Sequence, residues 1–446
     1  MSSMLLQSIS RSGLTCPVIS RDHPNYDRYR KVWNGIADRR PSAIVRPRTI
    51  SDVQKAVLAA AASGSLLAVR GGGHSLPGIS TCDGGLVLDL AALNAVRIDH
   101  RAGTVDVGGG ALLGDLDRAT VPLGCVVPAG VISHTGVGGL TLGGGMGWAS
   151  RKYGLTIDSL LEAEIVTADG RIVLASATSE PDLFWGIRGG GGNFGVVTRF
   201  RFRMNPFAGV TVGNWTYPLA QAKAALLALR DIAALKSRDF AVGFTVTPSR
   251  LSLSAVWHGE KGLAEAMLLP VGKLASSGEG GLTGQTYLEL QSRNDEHFAW
   301  SRRYYAKGGF WREIGNGAID HMVETIAHAP TPDCEIYVLQ LGGAIADIDD
   351  DATAYSGRKA GFYWIAEPVW DRVEDDATCL AWGRETAGRL ADDSVIGNYV
   401  NEQGDAGVSV AISAYGDAKY RRLQQLKSRF DPGNLFRLNQ NIQPLA

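Results

Sequence analysis

Up to Pro206, short runs of β-branched and aliphatic residues alternate with glycine-rich breaks; beyond it, alternating apolar and polar runs are interleaved with longer Ala/Leu-spaced stretches. Residues 22–33, with Tyr26, Tyr29 and Trp33 among charged positions, predict an N-terminal segment packed on the body. Residues 43–47 read as a short strand, and Ser51 is placed to cap an alanine-rich helix running to Ala62. Further strands are expected at 66–70, 85–90, 95–99 and 104–108. A βαβ start followed by short strands predicts a mixed α+β fold and not a doubly wound Rossmann sheet. Residues 163–173 predict a hairpin turning on Ala168-Asp169-Gly170, followed by a short helix at 182–188 and a strand at 199–202.

Alternation at 210–217, 241–246, 251–257, 336–341 and 361–365 predicts an antiparallel sheet, and the stretches at 219–236 and 377–390 predict helices backing it as a second domain. On such a strand Phe362 and Trp364 share one face and Tyr363 and Ile365 the other, so one pair is a candidate pocket wall; Tyr337 and Gln340 are candidates on the neighbouring strand. Read as extended, segment 398–402 puts Tyr399 and Asn401 on one face. An amphipathic helix at 417–429 stops at Asp431-Pro432-Gly433, and Asn439 and Asn441 share an extended face in the tail.

Charge narrows the partners. Lys plus Arg number 44 against 45 Asp plus Glu, a formal charge of -1. So balanced a chain carries no electrostatic footprint for nucleic acid or an anionic membrane, and small molecules are the expected partners. No apolar stretch approaches a membrane span, and the N-terminus lacks the basic patch and sustained apolar run of a secretory signal. The five cysteines, Cys16, Cys82, Cys125, Cys334 and Cys379, are odd in number and never spaced as CxxC. That argues against a disulfide framework and a zinc site, so reduced thiols in a cytoplasmic protein and no metal are expected.

Glycine is the compositional outlier, with 56 residues in the chain and dense clusters at 71–73, 108–110, 136–147 and 189–195 between apolar runs. Clusters so placed read as loops serving one ligand. In the first, Arg70-Gly71-Gly72-Gly73-His74-Ser75-Leu76-Pro77-Gly78, one imidazole stands among residues with almost no side chains. Such a ring suits a large flat ligand, although the same residues taken alone also describe a tight turn with a surface histidine. The long run from Gly136 contains a GxGxxG pattern, but glycine continues too far and no acidic residue follows at the spacing of the dinucleotide fingerprint. Its bare amides can cradle a pyrophosphate as a nest without a Rossmann helix.

Four motifs, RGGGHS around His74, GVGGLTLGGGMG from Gly136, DLFWGIRGGGGNFGVVT from Asp182 and FDPGNLFRLNQNI from Phe430, follow one another over nearly the whole chain. Together they resemble the berberine-bridge-enzyme-like flavoprotein oxidases, and among them the bacterial branch that includes 6-hydroxynicotine oxidase. The resemblance implies a two-domain, PCMH-type FAD-binding fold of the vanillyl-alcohol-oxidase superfamily. Its FAD domain would be residues 1–205 completed by 401–446, with an antiparallel-sheet substrate domain backed by helices at 206–400. It also implies FAD joined covalently through the His74 ring to the flavin 8α-methyl. Many relatives add a cysteinyl bond at the position of Ile132, which has no nucleophile, so attachment through His74 only is implied here. The cofactor surroundings carried over with the motifs are Arg70, Gly71, Gly72, Gly73, Ser75, Gly78, Gly130, Val131, Ile132, Thr135, Gly136, Val137, Gly139, Leu140, Gly143, Gly144, Gly145 and Gly147. To these the later motifs add Gly192, Asn193, Gly195, Val197, Tyr399, Asn439 and Asn441.

Oxidising an alcohol or amine removes a hydride and a proton, so a base is needed on the substrate side. Tyr399 matches the Tyr-x-Asn segment of the family, with Asn401 beside it, and is the first candidate; a core aromatic on a strand is the other reading. A phenol titrating near 10 needs a depressed pKa or a coupled partner, for which Glu402 and Lys307 are the candidates. His134 either touches cofactor or substrate or is an ordinary loop histidine. Val137 falls in the run that lines the oxygen side of the flavin in relatives, which favours an oxidase. The resemblance therefore implies an FAD-dependent oxidase, monomeric or homodimeric, that oxidises a small alcohol, amine or sugar and uses O2, releasing H2O2. A flavin dehydrogenase or oxidative cyclase, and more distantly a flavin-binding protein without turnover, remain open. No conspicuous charged cluster in the 206–400 sequence favours one substrate class.

Overall fold

The computed structural model describes residues 2–233, 237–274, 278–392, 394–395 and 397–445. Ala43–Val45 and Leu86–Asp89 are buried throughout, as strands covered on both faces must be. Ala43–Val45 and Leu67–Arg70 each pair in parallel with Leu86–Asp89, and Val18–Ser20 adds an antiparallel edge. The connecting helix is Ile50–Ala62, and its cap is Thr49 rather than Ser51: Thr49 Oγ1 accepts from the Asp52 N–H at 3.1 Å. The cap lies two residues earlier than expected because the buried Asp52 carboxylate is held by Thr15 and Thr49, which fixes the first turn.

A second sheet is antiparallel, in the order Val96–Asp99, Thr104–Gly108, Val196–Arg203, Leu160–Val166, Ile172–Ser176, the last two being the expected hairpin. A third has seven strands, all antiparallel, in the order Glu279–Gln285, Val210–Pro218, Arg250–Trp257, Phe240–Val246, Glu335–Gln340, Phe362–Glu367, Lys307–Trp311. Helices Leu219–Ala233, Asn316–Ile326 and Asp376–Leu390, the last contributing Trp382, pack on one of its faces over Trp311 and Trp364. The two-residue period then assigns the faces: Phe362 and Trp364 belong to the helix-side core, whereas Tyr363 and Ile365 turn to the opposite side and Glu367 follows them. Tyr337 also faces that side. Gln340 does not; its Nε2 donates to the Ala233 carbonyl at 2.6 Å beneath the helices.

Segment 398–402 is not extended. Val400–Glu402 closes a 3₁₀ turn, so Asn401 reaches Tyr399 by folding back and not by sharing a strand face. The last helix, Val408–Phe430, starts earlier than its amphipathic pattern, with a kink at Gly416 (φ 69°), and packs on the second sheet beside Pro181–Ile187. Its buried Lys427 donates to Asp431 at 2.6 Å and to the carbonyls of Asn193 at 2.8 Å and Phe436 at 2.9 Å. Asn193 accepts from the Ile442 N–H at 3.0 Å and donates to the Gln440 carbonyl at 3.1 Å. A fully satisfied buried ion pair of this kind fixes the path of the tail, and the chain end thereby returns to the N-terminal sheets. Among the described residues no helix is long and apolar enough to cross a membrane.

Candidate active site

A cavity of about 1010 Å³ runs between the glycine loops and the free face of the seven-stranded sheet. That is at the top of the range of small-molecule sites, about 300–1,000 Å³. Every glycine cluster sends a member to its wall: Gly71, Gly72 and Gly73, then Gly109, then Gly136 and Gly139, then Gly192 and Gly195. The bare positions are real clearance. A Cβ on Gly139 or Gly192 would meet open space, and the N–H groups of Gly72, Gly73, His74 and Ser75 donate to no acceptor among the described residues. Such a row of free amides is the cradle a pyrophosphate cofactor requires, so the residues present fit FAD.

Strand Leu67–Arg70 delivers His74 into this wall. Its imidazole stacks on Trp33, with centroids 4.0 Å apart at 16°, and Trp33 stacks in turn on Tyr304 at 3.9 Å and 13°. Trp33 is held by bonds at both ends, its N–H to the Gly73 carbonyl at 3.0 Å and Nε1 to the Phe298 carbonyl at 2.7 Å. His74 Nε2 lies 3.1 Å from His134 Nδ1, which engages that nitrogen and leaves Nδ1 of His74 without a side-chain partner among the described residues. Burial first, and then the neighbouring His134, push the His74 pKa down to about 3, so the ring is a neutral base at physiological pH. His134 therefore serves the anchor loop.

The loops are fastened backbone to backbone: a Cβ on Gly72 would strike the backbone of Gly136, and the reverse. Gly136→Ala should therefore push the histidine loop away from the glycine run. The expected outcome is a loss of about 1–3 kcal/mol of stability, the usual cost of overpacking, with weaker flavin retention, read by thermal unfolding and flavin content.

Several expected cofactor residues do other work. Arg70 points away from the cavity, donating to Asp89 at 3.1 Å and to the Tyr29 carbonyl at 2.7 Å. Gly78 abuts Ala37 and accepts from Arg39, and Val137 is buried in the core. Gly143, Gly144, Gly145 and Gly147 lie behind the wall, where their bareness makes room for Asn401, for the rings of Tyr355 and Tyr399, for Thr156 and for the Ala129 carbonyl. Asn193 pins the tail, and of its two asparagines Asn439 lines the cavity while Asn441 does not. Gly130, Val131, Ile132, Thr135, Leu140 and Val197 do line it.

On the other side stand Tyr399, Asn401 and Glu402. The Tyr399 hydroxyl accepts from the Gly145 N–H at 3.2 Å and from Asn401 Nδ2 at 3.0 Å. Burial, reinforced by Glu402, raises its pKa above the ordinary phenol value, the opposite of what a base would need. Glu402 is pushed up to about 7 by burial, partly opposed by Tyr363, whose hydroxyl lies near it without a well-formed hydrogen bond. Lys307 stands apart, half exposed, outside the cavity wall and 4.0 Å from Asp405.

Folding also assembles a group that has no sequence motif. Glu335 and Glu367 are register partners on adjacent strands, and both line the cavity with Glu402. His297 Nε2 lies 3.4 Å from Glu335, and this contact raises the histidine pKa. Arg293 lays its guanidinium 4.7 Å over the Trp148 ring, whose Nε1 is enclosed without a partner. Spacing along the chain gave no signal for these residues.

Comparison with known proteins places these features. The model of an FAD binding domain matches residues 41–176, and that described as berberine and berberine like matches residues 398–443. An FAD-linked oxidoreductase of Dictyostelium discoideum is 31% identical over 93% of this chain and 91% of its own length. The (R)-6-hydroxynicotine oxidase of Paenarthrobacter nicotinovorans is 29% identical over 100% of this chain and 99% of its own. Among solved structures, a variant of BBE-like 1 from Physcomitrella patens superposes with a TM-score of 0.91 at 25% identity, covering 99% of this chain and 100% of that one.

Proposed function

This chain belongs to the berberine-bridge-enzyme-like FAD-linked oxidoreductases, and from that premise we propose an oxidase that carries FAD on His74 alone and takes a hydride and a proton from a small organic substrate. The observation that carries the reading is the state of His74. Stacked on Trp33, bonded through Nε2 to His134 and kept unprotonated, it presents one free ring nitrogen as a nucleophile within the wall of amides. Ile132 lines the same cavity and offers no atom for a second bond.

When bound, FAD supplies the two-electron acceptor, and its reoxidation by O2 gives H2O2. Glu402 takes the substrate proton. A carboxylate titrating near 7 is both ionised at working pH and basic enough to compete for it, which is the match that general-base catalysis rewards. Tyr399, held by two donors, orients the substrate and does not deprotonate it. In this reading residues 1–205 and 401–446 form the cofactor side and 206–400 the substrate side.

Purified protein should be yellow and keep its colour in the acid-precipitated pellet, with peroxide released on exposure to a mixed panel of alcohols, amines and sugars. Colour passing to the supernatant would refute the attachment. Slow reoxidation of the reduced protein in air would refute the oxidase assignment and leave a dehydrogenase.

A further inference from the structure

We propose that the substrate end of the cavity selects an organic cation, an amine whose charge sits among Glu335, Glu367 and Glu402; the inference rests on the oxidase reading above and narrows its substrate class.

In-register carboxylates on neighbouring strands repel each other, and a fold keeps them only where something offsets the charge. Glu335 is 8% exposed and Glu367 9% exposed, yet Glu367 makes no hydrogen bond and no ion pair among the described residues. Burial, then Glu335 and Glu402, force its pKa well upward. Of the cations in the wall, Arg293 and Arg250 form no ion pair with the three carboxylates, and only His297 approaches one of them. Asp333 is already paired with Arg302 at 2.6 Å.

Two further groups point to a ligand independently of the acids. Tyr363 is 1% exposed and its hydroxyl has no hydrogen-bond partner, although it lies against Glu402 and Glu367. Tyr337 lines the cavity with its hydroxyl likewise enclosed and unpartnered. Buried polar groups left unsatisfied by the protein are costly; the Tyr337 hydroxyl stands in the same wall as the carboxylates, and the Tyr363 hydroxyl lies against Glu402. An ammonium supplies the missing positive charge and several N–H donors at once, whereas an alcohol or sugar leaves the carboxylates uncompensated. Among the described residues no cluster has the arrangement of a metal site, so a metal ion is not the counter-charge the residues suggest. The same carboxylates can take the N–H proton, leaving a neutral amine and a carboxylic acid, the form in which an amine is oxidised.

The test is calorimetric titration of the flavin-loaded protein with probes of one shape and three charges: benzylammonium, benzyl alcohol and benzoate. At pH 7.5 benzylammonium should bind at least about tenfold more tightly than the alcohol, and Glu367→Gln should reduce that ratio severalfold while leaving the affinity for the alcohol unchanged. For the permanently charged benzyltrimethylammonium, wild-type Kd should fall about tenfold between pH 6 and 8.5. The groups facing that probe are Glu335, Glu367, Glu402, Tyr337, Tyr399, His297, Arg293, Arg250 and Asp333; Glu402 and Glu367, both raised by burial, gain negative charge as pH rises and strengthen binding, and His297, raised by Glu335, loses its positive charge and reinforces the trend. This second measurement needs no variant. Equal or tighter binding of the alcohol or of benzoate, or a flat pH profile, overturns the proposal. Because binding is read without turnover, cation selectivity without flavin reduction by any substrate sinks the oxidase reading alone. Peroxide from alcohols without cation selectivity sinks this inference alone.

Discussion

A His74→Ala variant releases all of its flavin on acid precipitation, while the wild type retains it in the pellet. Ile132, in the same wall, offers no second nucleophile, so removal of the imidazole should leave the flavin without a covalent bond. The amide cradle survives the substitution, and the variant should still bind FAD reversibly, with the cofactor removable by gel filtration in chaotropic salt. The denatured wild-type polypeptide should exceed the mass of its chain by one flavin, and the variant should match the bare chain. Flavin in the variant pellet would show that another residue carries the bond. Trp33 and Tyr304, stacked behind the ring, keep the loop in place in either form.

Replacing Glu402 by glutamine lowers the rate of flavin reduction by about 10²–10⁴, the usual contribution of a positioned general base. In the wild type kcat/KM should rise with pH through about 7, as Glu402 loses its proton, and then level off; in the variant that limb disappears. The sign of the stability effect separates this loss from unfolding. A carboxyl whose folded pKa is raised binds more protons in the native than in the unfolded state, so wild-type stability falls as pH rises from the unfolded value near 4.3 to about 7. A glutamine does not titrate, and the variant should be at least as stable as the wild type at pH 8, read by thermal unfolding. An unchanged rate with an unchanged pH limb would remove Glu402 from the reaction. Tyr399→Phe should have the smaller effect, because its hydroxyl receives two hydrogen bonds and holds its own proton.

Much of this site was legible before folding. The glycine clusters announced a bare-walled cavity with His74 in its wall, because close backbone approach leaves its mark in local sequence. Alternation assigned Tyr363 and Ile365 to one face of their strand and Phe362 and Trp364 to the other, leaving only the choice of face to packing against the helices. Local reading failed where the partner lay far along the chain. Gly143, Gly144, Gly145 and Gly147 looked like cofactor glycines, but the atoms that need their space belong to Asn401, Tyr399, Thr156 and Ala129. Arg70 sits in the anchor motif, yet Asp89 and two distant carbonyls claim its guanidinium.

The strand pattern was legible in the sequence, as were the candidate anchor His74 and the want of a nucleophile at Ile132, since each depends on residue type at one position or on a short period. Only the tertiary structure decided which groups meet at the substrate. Glu335 and Glu367 became opposed through strand register, Glu402 joined them from a 3₁₀ turn, and His134 reached His74 across 60 residues. Glu335, Glu367 and Glu402 form no cluster in the sequence because they are scattered along the chain. Their proximity, and with it the pKa values and the preference for a cation, arises from long-range pairing and burial, neither of which a one-dimensional pattern encodes.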